Sequence, residues 1–520
     1  MTKRLLIIGW DGADWEIIDD LIARGMLPNL SGLLRKGLRA NLASTIPTHS
    51  WAAWSTFLTG MNPGGHGVFD FVERRPDQPD KRIPVTSDSI KAPTFLETLS
   101  DANHELRAAN IPVTYPAIPI RGRMIAGVAI PTRAEFVHPK TWGKELEGRA
   151  PWPINGMEWT RFRNSPIGLV DEAGRFVEMR TASLEVLLEG EWTVAVCVYV
   201  APDRLQHALG AYLLPSHPDY ERLSETRLAE DLRNVYTCLD DGIERLRRAA
   251  GQDATVILMS DHGFGPAARA ANLIKILQEV GLATPSRMAG AARKARRSFA
   301  ARAMSRTRAG RTIKGMVKRP STLDWSRTVA YQSAAGGGVS INLEGREPSG
   351  VVAPEDYENA VDDVRDRLTS FVDPQTGEHP IAEVLSREKL YSGPYVGLAP
   401  DIIVEPRDLW VLSHTDALTA PSDWPSGTHR RDGVFLAVGD GITPGNLGTK
   451  QIADVSATAL AFCDVTPHGL DGEVVNEVVP NFLPGKPTRD TVTAARSGVA
   501  LSGSEQAEIA KHLRDLGYIE

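Results

Sequence analysis

The sequence predicts an α/β sandwich with a mostly parallel central sheet, helices on both of its faces, and insertions. Short apolar runs rich in β-branched residues alternate with longer amphipathic stretches along the 520-residue chain, as strands alternate with crossover helices. The runs are apolar at consecutive positions, which is typical of strands buried on both faces. They are RLLIIG at 4–9, TVAVCVYV at 193–200, ATVILMS at 254–260, DIIVEP at 401–406 and GVFLAVG at 433–439.

Three stretches between these runs carry apolar residues at helical spacing. They cover residues 14–37, 222–249 and 355–371, and the last is bounded by Pro354 and Pro374, which stop helices. Length alone suggests about three domains, but the candidate site residues described below span most of the chain. We therefore expect one catalytic domain over 1–520, with a basic insert at 285–320, a cap-like α+β insertion at 328–396 and a C-terminal helix at 499–520.

The composition is that of an ordinary globular protein, with 42% hydrophobic and 24% charged residues and a net charge of -7. These values exclude a disordered or collagen-like chain, and the negative charge argues against a stable nucleic-acid partner. The charge is unevenly distributed, because residues 287–319 hold twelve Lys or Arg and no Asp or Glu. This basic segment is either a solvated flap or a lid that docks an anionic partner.

The sequence also predicts the compartment. The apolar run at 5–8 is too short for a signal-peptide core, and no stretch approaches the roughly 18 apolar residues of a membrane span. Cys197, Cys238 and Cys463 are odd in number and far apart, so they indicate neither a disulfide framework nor a thiolate metal site. We expect a cytoplasmic protein without a transmembrane segment.

Aspartate and histidine residues stand at or beside the ends of four predicted strands. Sites in α/β sheets lie at the carboxyl ends of the strands, so these side chains are expected to meet. One such Asp is ordinarily a turn residue, but six oxygen and imidazole ligands suit a site for two Zn²⁺ or Mn²⁺ ions. The candidates are Asp11 after the first run, Asp203 and His207 after the second, Asp261 and His262 after the third, and His429 just before the last.

A candidate nucleophile lies in the segment TIPTHSWAAWSTFLTGMNPGGHGVFDF at 45–71. A turn at Pro47 precedes a helix-compatible run that begins at Ser50, and a helix N-terminus favours an anion. Taken alone, Ser50 is an ordinary N-cap, but beside six metal ligands it becomes a candidate nucleophile. Trp10, Trp51 and Trp54 flank these positions, either as core or as a hydrophobic wall, in which case Trp51 and Trp54 bind substrate.

Together these motifs resemble the alkaline phosphatase superfamily, specifically its nucleotide pyrophosphatase/phosphodiesterase-like branch. The chain is similar above all to cytoplasmic bacterial and archaeal proteins known only as predicted phosphohydrolases or phosphomutases. The resemblance covers nearly the whole chain and includes NIPVTYPAIPIRG at 110–122, SINLEGREPSGVVAPEDY at 340–357, LAPDIIVEP at 398–406 and HLRDLGYIE at 512–520.

The resemblance implies an alkaline-phosphatase-like fold and a phosphoric ester hydrolase that acts through a phosphoseryl intermediate. It implies two divalent metal ions, most often Zn²⁺ with Mn²⁺ as the alternative, and a phosphate-ester substrate. One ion would be held by Asp11, Ser50, Asp261 and His262, with Ser50 also the nucleophile, and the other by Asp203, His207 and His429.

Two positions depart from the family pattern. The branch usually carries Thr where this chain has Ser50, which is chemically equivalent for attack on phosphorus. Its phosphodiesterases carry an Asn where this chain has Ala53, which puts nucleotide pyrophosphatase activity in doubt and gives the backbone N–H of Trp51 more of the oxyanion load.

Three alternatives to a hydrolase of phosphate esters fit the same residues to different degrees. A sulfatase is disfavoured because Ser50 lacks the following Pro and Arg of that branch. A phosphomutase or phosphotransferase stays open, since nothing in the sequence decides whether water or an alcohol accepts the phosphoryl group. A non-catalytic metal-binding scaffold is disfavoured because all seven site residues are present.

Overall fold

The computed structural model describes residues 3–77, 83–132, 135–154, 156–286, 323–334, 336–413, 415–422, 426–485 and 501–517. The basic segment 287–319 lies outside these residues, and the chain on either side of it meets at an antiparallel bridge between Pro285 and Leu323.

Strands and helices are numbered along the described chain. The strands are β1 Leu5–Trp10, β2 Leu38–Ala43, β3 Val72–Glu73, β4 Ile83–Pro84, β5 Leu106–Ala109, β6 Gly122–Ile125, β7 Val137–His138, β8 Val194–Tyr199, β9 Thr255–Met259, β10 Gly263–Ala271, β11 Ala330–Gln332, β12 Gly338–Ile341, β13 Ile381–Ser386, β14 Ile402–Pro406, β15 Leu409–Leu412, β16 Thr419–Pro421, β17 Gly427–Arg430, β18 Asp432–Val438 and β19 Gly445–Gln451. The α-helices are α1 Trp15–Ala23, α2 Pro28–Leu34, α3 Ser50–Thr59, α4 Pro63–His66, α5 Phe95–Asp101, α6 Lys140–Arg149, α7 Pro166–Leu187, α8 Ala201–Leu209, α9 Tyr220–Leu223, α10 Arg227–Ala250, α11 Leu273–Glu279, α12 Tyr357–Thr369, α13 Arg387–Leu390, α14 Ile452–Phe462 and α15 Gly503–Asp515. Short 3₁₀ turns lie at Ser87–Ser89, Trp159–Phe162, Gly210–Tyr212, Trp325–Arg327, Pro354–Asp356 and Val396–Leu398.

A nine-stranded sheet forms the centre of the molecule, in the order β19-β2-β18-β9-β1-β8-β5-β6-β7. Its middle strands run parallel, because β1 pairs in parallel with both β8 and β9, and β5 with β6 and β8. The predicted α/β fold with a mostly parallel sheet is confirmed. Strand β1 is buried along its whole length, as its uninterrupted apolar sequence predicts.

One strand of this sheet runs against the predicted direction. Strand β18, from the run at 433–439, pairs antiparallel with β9 and with β2. Its inner residues are as buried as those of β1. A continuous apolar run therefore indicates that a strand is buried on both faces. It does not indicate the direction of the strand, which depends on the connection that precedes it.

A smaller antiparallel sheet, in the order β11-β12-β14-β13, packs with α12 around a second core that includes Val339, Ile341 and Val364. The run at 401–406 supplies β14, so its expected place in the parallel sheet was wrong. Both faces of β14 are covered nonetheless: Ile402 and Val404 face the second core, and Ile403 packs in a separate cluster with Phe69 and Tyr391. As β14 pairs with both β12 and β13, the insertion proposed at 328–396 is better extended to Pro406.

The helical stretch at 14–37 is divided into α1 and α2. Gly25 adopts a φ of +74°, in the left-handed region, and Pro28 begins α2, so the backbone turns where periodicity alone predicts continuity. The stretches at 222–249 and 355–371 form α10 and α12 close to their predicted limits. Among the described helices, none combines the length and the apolar character needed to cross a bilayer.

Candidate metal centre

The seven predicted site residues come together at the carboxyl edge of the central sheet. They reach that edge from five different segments, which is why their positions in the sequence are so far apart. Asp11 follows β1, Ser50 begins α3, Asp203 and His207 lie in the first and last turns of α8, Asp261 and His262 join β9 to β10, and His429 lies on β17 opposite Phe264 of β10.

Ser50 is buried at the N-terminus of α3. Its Oγ lies 3.4 Å from Asp11 Oδ1 and 3.3 Å from His262 Nε2. His49 is the N-cap, and its Nδ1 accepts a hydrogen bond from the N–H of Ala52 at 3.4 Å. The hydroxyl therefore stands at the positive end of a ten-residue helix, among groups that can bind cations.

The three histidines of the site each direct Nδ1 towards a main-chain carbonyl. Each can donate its Nδ1 hydrogen to a main-chain carbonyl, which assigns the tautomer that leaves the Nε2 lone pair free for a cation. The acceptors are Gly427 O for His207 at 3.3 Å, Gly263 O for His262 at 3.0 Å and Thr48 O for His429 at 2.9 Å.

Asp203 lies at the meeting point of two groups of ligands. Its Oδ1 is 3.3 Å from His207 Nε2 and 3.2 Å from His429 Nε2, and the ligand atoms of these three residues lie within 4.8 Å of one another. The ligand atoms of Asp11, Asp203 and His262 form a second such group. The carboxylate that the family resemblance assigns to one ion thus lies within reach of both positions.

Asp261 provides a test of whether cations fit this site. Its Oδ1 accepts a hydrogen bond from the N–H of Gly12 at 3.1 Å. Its Oδ2 is buried without a hydrogen-bond partner among the described residues and lies 3.4 Å from His262 Nε2. A buried carboxylate oxygen without a partner is costly, and a cation shared with the neighbouring imidazole would satisfy it. The residues present therefore fit a divalent metal.

The electrostatics of the site are those of a cation site. Burial, followed by repulsion from Asp261 and Asp203, raises the pKa of Asp11 well above its usual value. Burial is also the main reason why the pKa of Asp261 rises to about 7. Burial lowers the pKa of His262 and His429 to about 4, so both rings are neutral at pH 7. The neutral imidazoles are already in the form that binds a metal, and a bound cation would favour the ionised form of the crowded carboxylates.

Three contacts around the site were not foreseen. Trp54 donates its indole N–H to Asp11 Oδ2 at 3.1 Å, Arg204 Nη1 lies 3.6 Å from Asp203 Oδ2, and Trp159 stacks on His207. Arg204 could have been suspected from its place beside Asp203. The contact made by Trp159 has no signal in the sequence, because the two residues are joined only by tertiary packing.

The tryptophans that flank the site are buried. Trp10 and Trp54 are 0% exposed and Trp51 is 2% exposed. Trp51 packs against Phe71, with ring centroids 4.9 Å apart. Of the two alternatives for these side chains, burial favours core over a wall that faces substrate, and Trp54 is placed to hold a carboxylate.

The α/β fold and the two groups of Asp and His side chains suit a metal-dependent hydrolase. The family model of type I phosphodiesterase / nucleotide pyrophosphatase matches residues 5–432. The chain belongs to this family, and it is by class a metal-dependent phosphoric ester hydrolase.

Solved structures agree with the fold. Murine ectonucleotide pyrophosphatase / phosphodiesterase 5 superposes with a TM-score of 0.54 at 13% identity, over 91% of this chain and 98% of that chain. Phosphonoacetate hydrolase from Sinorhizobium meliloti 1021, in complex with phosphonoformate, gives a TM-score of 0.55 at 15% identity, over 88% and 95%. An inactive form of the murine protein, in complex with AMP, gives 0.52 at 14% identity, over 92% and 99%. A search of the curated proteins finds no match.

Proposed function

We propose that the protein hydrolyses a phosphoric ester with Ser50 as nucleophile, at a site for two divalent cations. The observation that carries the proposal is the position of the Ser50 hydroxyl, which lies 3.4 Å from Asp11 Oδ1 and 3.3 Å from His262 Nε2 at the start of α3. A serine that served only as an N-cap would precede the helix, whereas here His49 occupies that position and Ser50 is free to face the ligand cluster.

The cations would be held by the residues of the two groups together with Asp261. One position would use Asp11, Asp261 and His262, with Ser50 beside them, and the other Asp203, His207 and His429, with Asp203 near both. When bound, divalent cations lower the pKa of a hydroxyl and neutralise charge on phosphoryl oxygens. Zn²⁺ is the first expectation for these oxygen and imidazole ligands and Mn²⁺ the alternative.

In the proposed reaction Ser50 Oγ attacks phosphorus in line with the leaving oxygen. The P–O bond to the leaving oxygen breaks as the Oγ–P bond forms; the Ser50 hydroxyl loses its proton to solvent, and the leaving alkoxide takes up a proton from solvent to become the alcohol. Water then attacks the phosphoseryl group, which releases phosphate or a phosphate monoester and restores the Ser50 hydroxyl. The N-terminus of α3 supports the negative charge of the phosphoryl oxygens throughout.

The side chain three residues after the nucleophile limits the choice of substrate. Ala53 is 0% exposed within α3, and its methyl group cannot hold a phosphoryl oxygen as an amide would. This favours substrates whose phosphoryl oxygens are neutralised by the cations and the helix terminus alone. We therefore propose a small phosphate mono- or diester rather than a nucleoside pyrophosphate.

The test is a panel of phosphate monoesters, diesters, AMP-type nucleotides, phosphonoacetate and sulfate esters, assayed with Zn²⁺ and with Mn²⁺. The Ser50→Ala variant is expected to lose on the order of a thousandfold or more in kcat while it retains its metal. Ser50→Thr is the matched control and should keep most of the activity, because it retains the hydroxyl. Acid quench followed by mass spectrometry should find one phosphoryl group on Ser50 in the wild type.

Each of the other possible outcomes would assign a different function to the protein. No turnover of any ester by the metal-loaded wild type would refute the proposal and indicate a scaffold. Transfer of the phosphoryl group to an added alcohol in preference to water would indicate a phosphotransferase. A Ser50→Ala variant that keeps full activity would rule out the phosphoseryl intermediate.

A further inference from the structure

Of the three site histidines, His207 has the longest contact between its Nδ1 and a main-chain carbonyl. Its Nδ1 lies 3.3 Å from Gly427 O, compared with 3.0 Å and 2.9 Å for the corresponding contacts of His262 and His429. It also lies in the last turn of α8, whereas His262 and His429 are fixed by β10 and its pairing with β17. Aromatic rings that pack against the imidazole also bear on its orientation.

Trp159 provides that packing. Its indole stacks on the imidazole of His207, with ring centroids 5.5 Å apart and planes inclined by 17°. Phe264 packs edge-on against the same imidazole, with ring centroids 4.9 Å apart and planes inclined by 78°. Trp159 is 6% exposed, so the stack is sheltered from water. A flat aromatic surface against one face of the imidazole restricts rotation about its side-chain bonds.

Trp159 is held in turn by the C-terminal helix α15. The residues that follow it in the 3₁₀ turn bind one residue of that helix: the Thr160 hydroxyl donates to Asp515 O, and Arg161 Nη2 donates to Asp515 Oδ2 at 2.5 Å. Gly517 lies directly against the indole, because a Cβ at this position would be 2.6 Å from Trp159 Cζ2.

The helix itself is anchored in the main core. Ile509 and Leu513 are 3% and 0% exposed, and Glu508 accepts a hydrogen bond from the N–H of Thr132 at 2.9 Å. A continuous set of packed contacts thus runs from the end of the chain, through Trp159, to His207.

We infer that Trp159 is a positioning residue for the cation site of Asp203, His207 and His429, and that α15 fixes Trp159 in that role. This inference rests on the proposed metal centre. It assigns a function to the C-terminal segment: residues far from the nucleophile set the affinity of one of the two cation positions and leave the other unaffected.

The experiment measures metal affinity rather than activity. Protein freed of metal by chelation is titrated with Zn²⁺ in competition with a chromogenic chelator, and the wild type is expected to show two classes of site. Trp159→Ala should weaken one class by about 10- to 100-fold, the usual effect of losing a residue that supports a ligand, and leave the other class unchanged. Trp159→Phe should restore most of the lost affinity, because it keeps an aromatic face.

Two further variants separate positioning from general loss of stability. Trp142 is 5% exposed, lies on α6 and packs under Arg123, so Trp142→Ala removes an equally buried indole that does not contact His207 and should bind both ions as the wild type does. Gly517→Ala presses on the Trp159 ring from the C-terminal side and should weaken the same class of site. Gly517→Ala also tests the role of Trp159 if the Trp159→Ala variant does not fold.

The outcomes distinguish this inference from the function on which it rests. His207→Ala should abolish one class of site; if it retains both, the proposed metal centre is wrong. If His207→Ala loses one class while Trp159→Ala and Gly517→Ala bind both ions normally, the metal centre stands and the role of Trp159 is refuted. Equal losses in Trp142→Ala and Trp159→Ala would also refute it.

Discussion

Replacing Trp54 by Phe should weaken the candidate metal centre through a single hydrogen bond. The indole N–H of Trp54 donates to Asp11 Oδ2 at 3.1 Å, and both residues are buried. Phe keeps an aromatic ring in contact with Phe57, which meets Trp54 edge-on at 5.4 Å, but it has no donor. The carboxylate of Asp11 would then lose its orientation and one of the bonds that stabilise its charge.

The size of the effect follows from the kind of bond. A hydrogen bond to a charged group contributes about 1.5–3 kcal/mol, and each 1.4 kcal/mol is about tenfold in an equilibrium constant. Trp54→Phe should therefore weaken cation binding at the position of Asp11 and His262 by about 10- to 100-fold. The pKa of Asp11 should rise further, since Trp54 is one of the groups that lower it.

Trp10→Phe is the matched control. Trp10 is also 0% exposed and immediately precedes Asp11, but its indole nitrogen has no hydrogen-bond partner among the described residues. The same substitution there removes the same volume without removing a bond to the carboxylate. Zn²⁺ titration and kcat/KM at saturating and at limiting Zn²⁺ would be compared for both variants. If they weaken binding equally, packing rather than the hydrogen bond supports Asp11, and the reasoning fails.

Three further predictions concern stability. Burial lowers the pKa of His66 to about 3, against about 6.5 in the unfolded chain. The wild type should therefore lose stability as the pH falls below 6.5. In urea unfolding of chelator-treated protein, the loss between pH 7 and 5 should be smaller for His66→Gln than for the wild type by about 2 kcal/mol. Gly12 has φ +71° and lies against the main chain at the start of α8, so Gly12→Ala should lower both thermal stability and turnover, whereas Gly441→Ala, at φ +81° with open space around it, should cost only about 1–2 kcal/mol of stability. Asp401→Asn removes the charge of a buried carboxylate that pairs with Arg346 at 2.6 Å and with Arg387 at 2.9 Å, and this should cost about 3–5 kcal/mol in urea unfolding.

Much of the fold could be predicted because buried strands and helices have recognisable patterns of apolar residues in the sequence. The run at 4–9 forms the middle strand of the sheet, and the stretch at 222–249 contains α10. The spacing of Asp203 and His207 required a helical turn to bring them together, and α8 supplies it. What the sequence does not record is strand direction and turn geometry, as the antiparallel β18 and the left-handed Gly25 show.

The candidate site also has a part that the sequence predicts and a part that it does not. Most of its seven candidate residues could be proposed because they lie at or beside the ends of apolar runs, where polar side chains are conspicuous in the sequence. The contacts that orient them could not, since nothing in the sequence around Trp54 or Trp159 links these residues to Asp11 or His207, which only the fold brings against them. The proximity of Asp203 to both groups likewise depends on two histidines from distant segments.

This division explains why the substrate is harder to predict than the reaction. The proposed reaction depends on ligands at the edge of the central sheet, but another part of the fold also approaches the nucleophile. Gly336, in the loop that leads to β12, lies against His49, since a Cβ there would be 3.0 Å from His49 Cδ2. The smaller sheet therefore reaches the residue that precedes Ser50. Substrate selectivity is consequently expected to depend on the smaller sheet, whose residues can vary while the metal ligands stay the same.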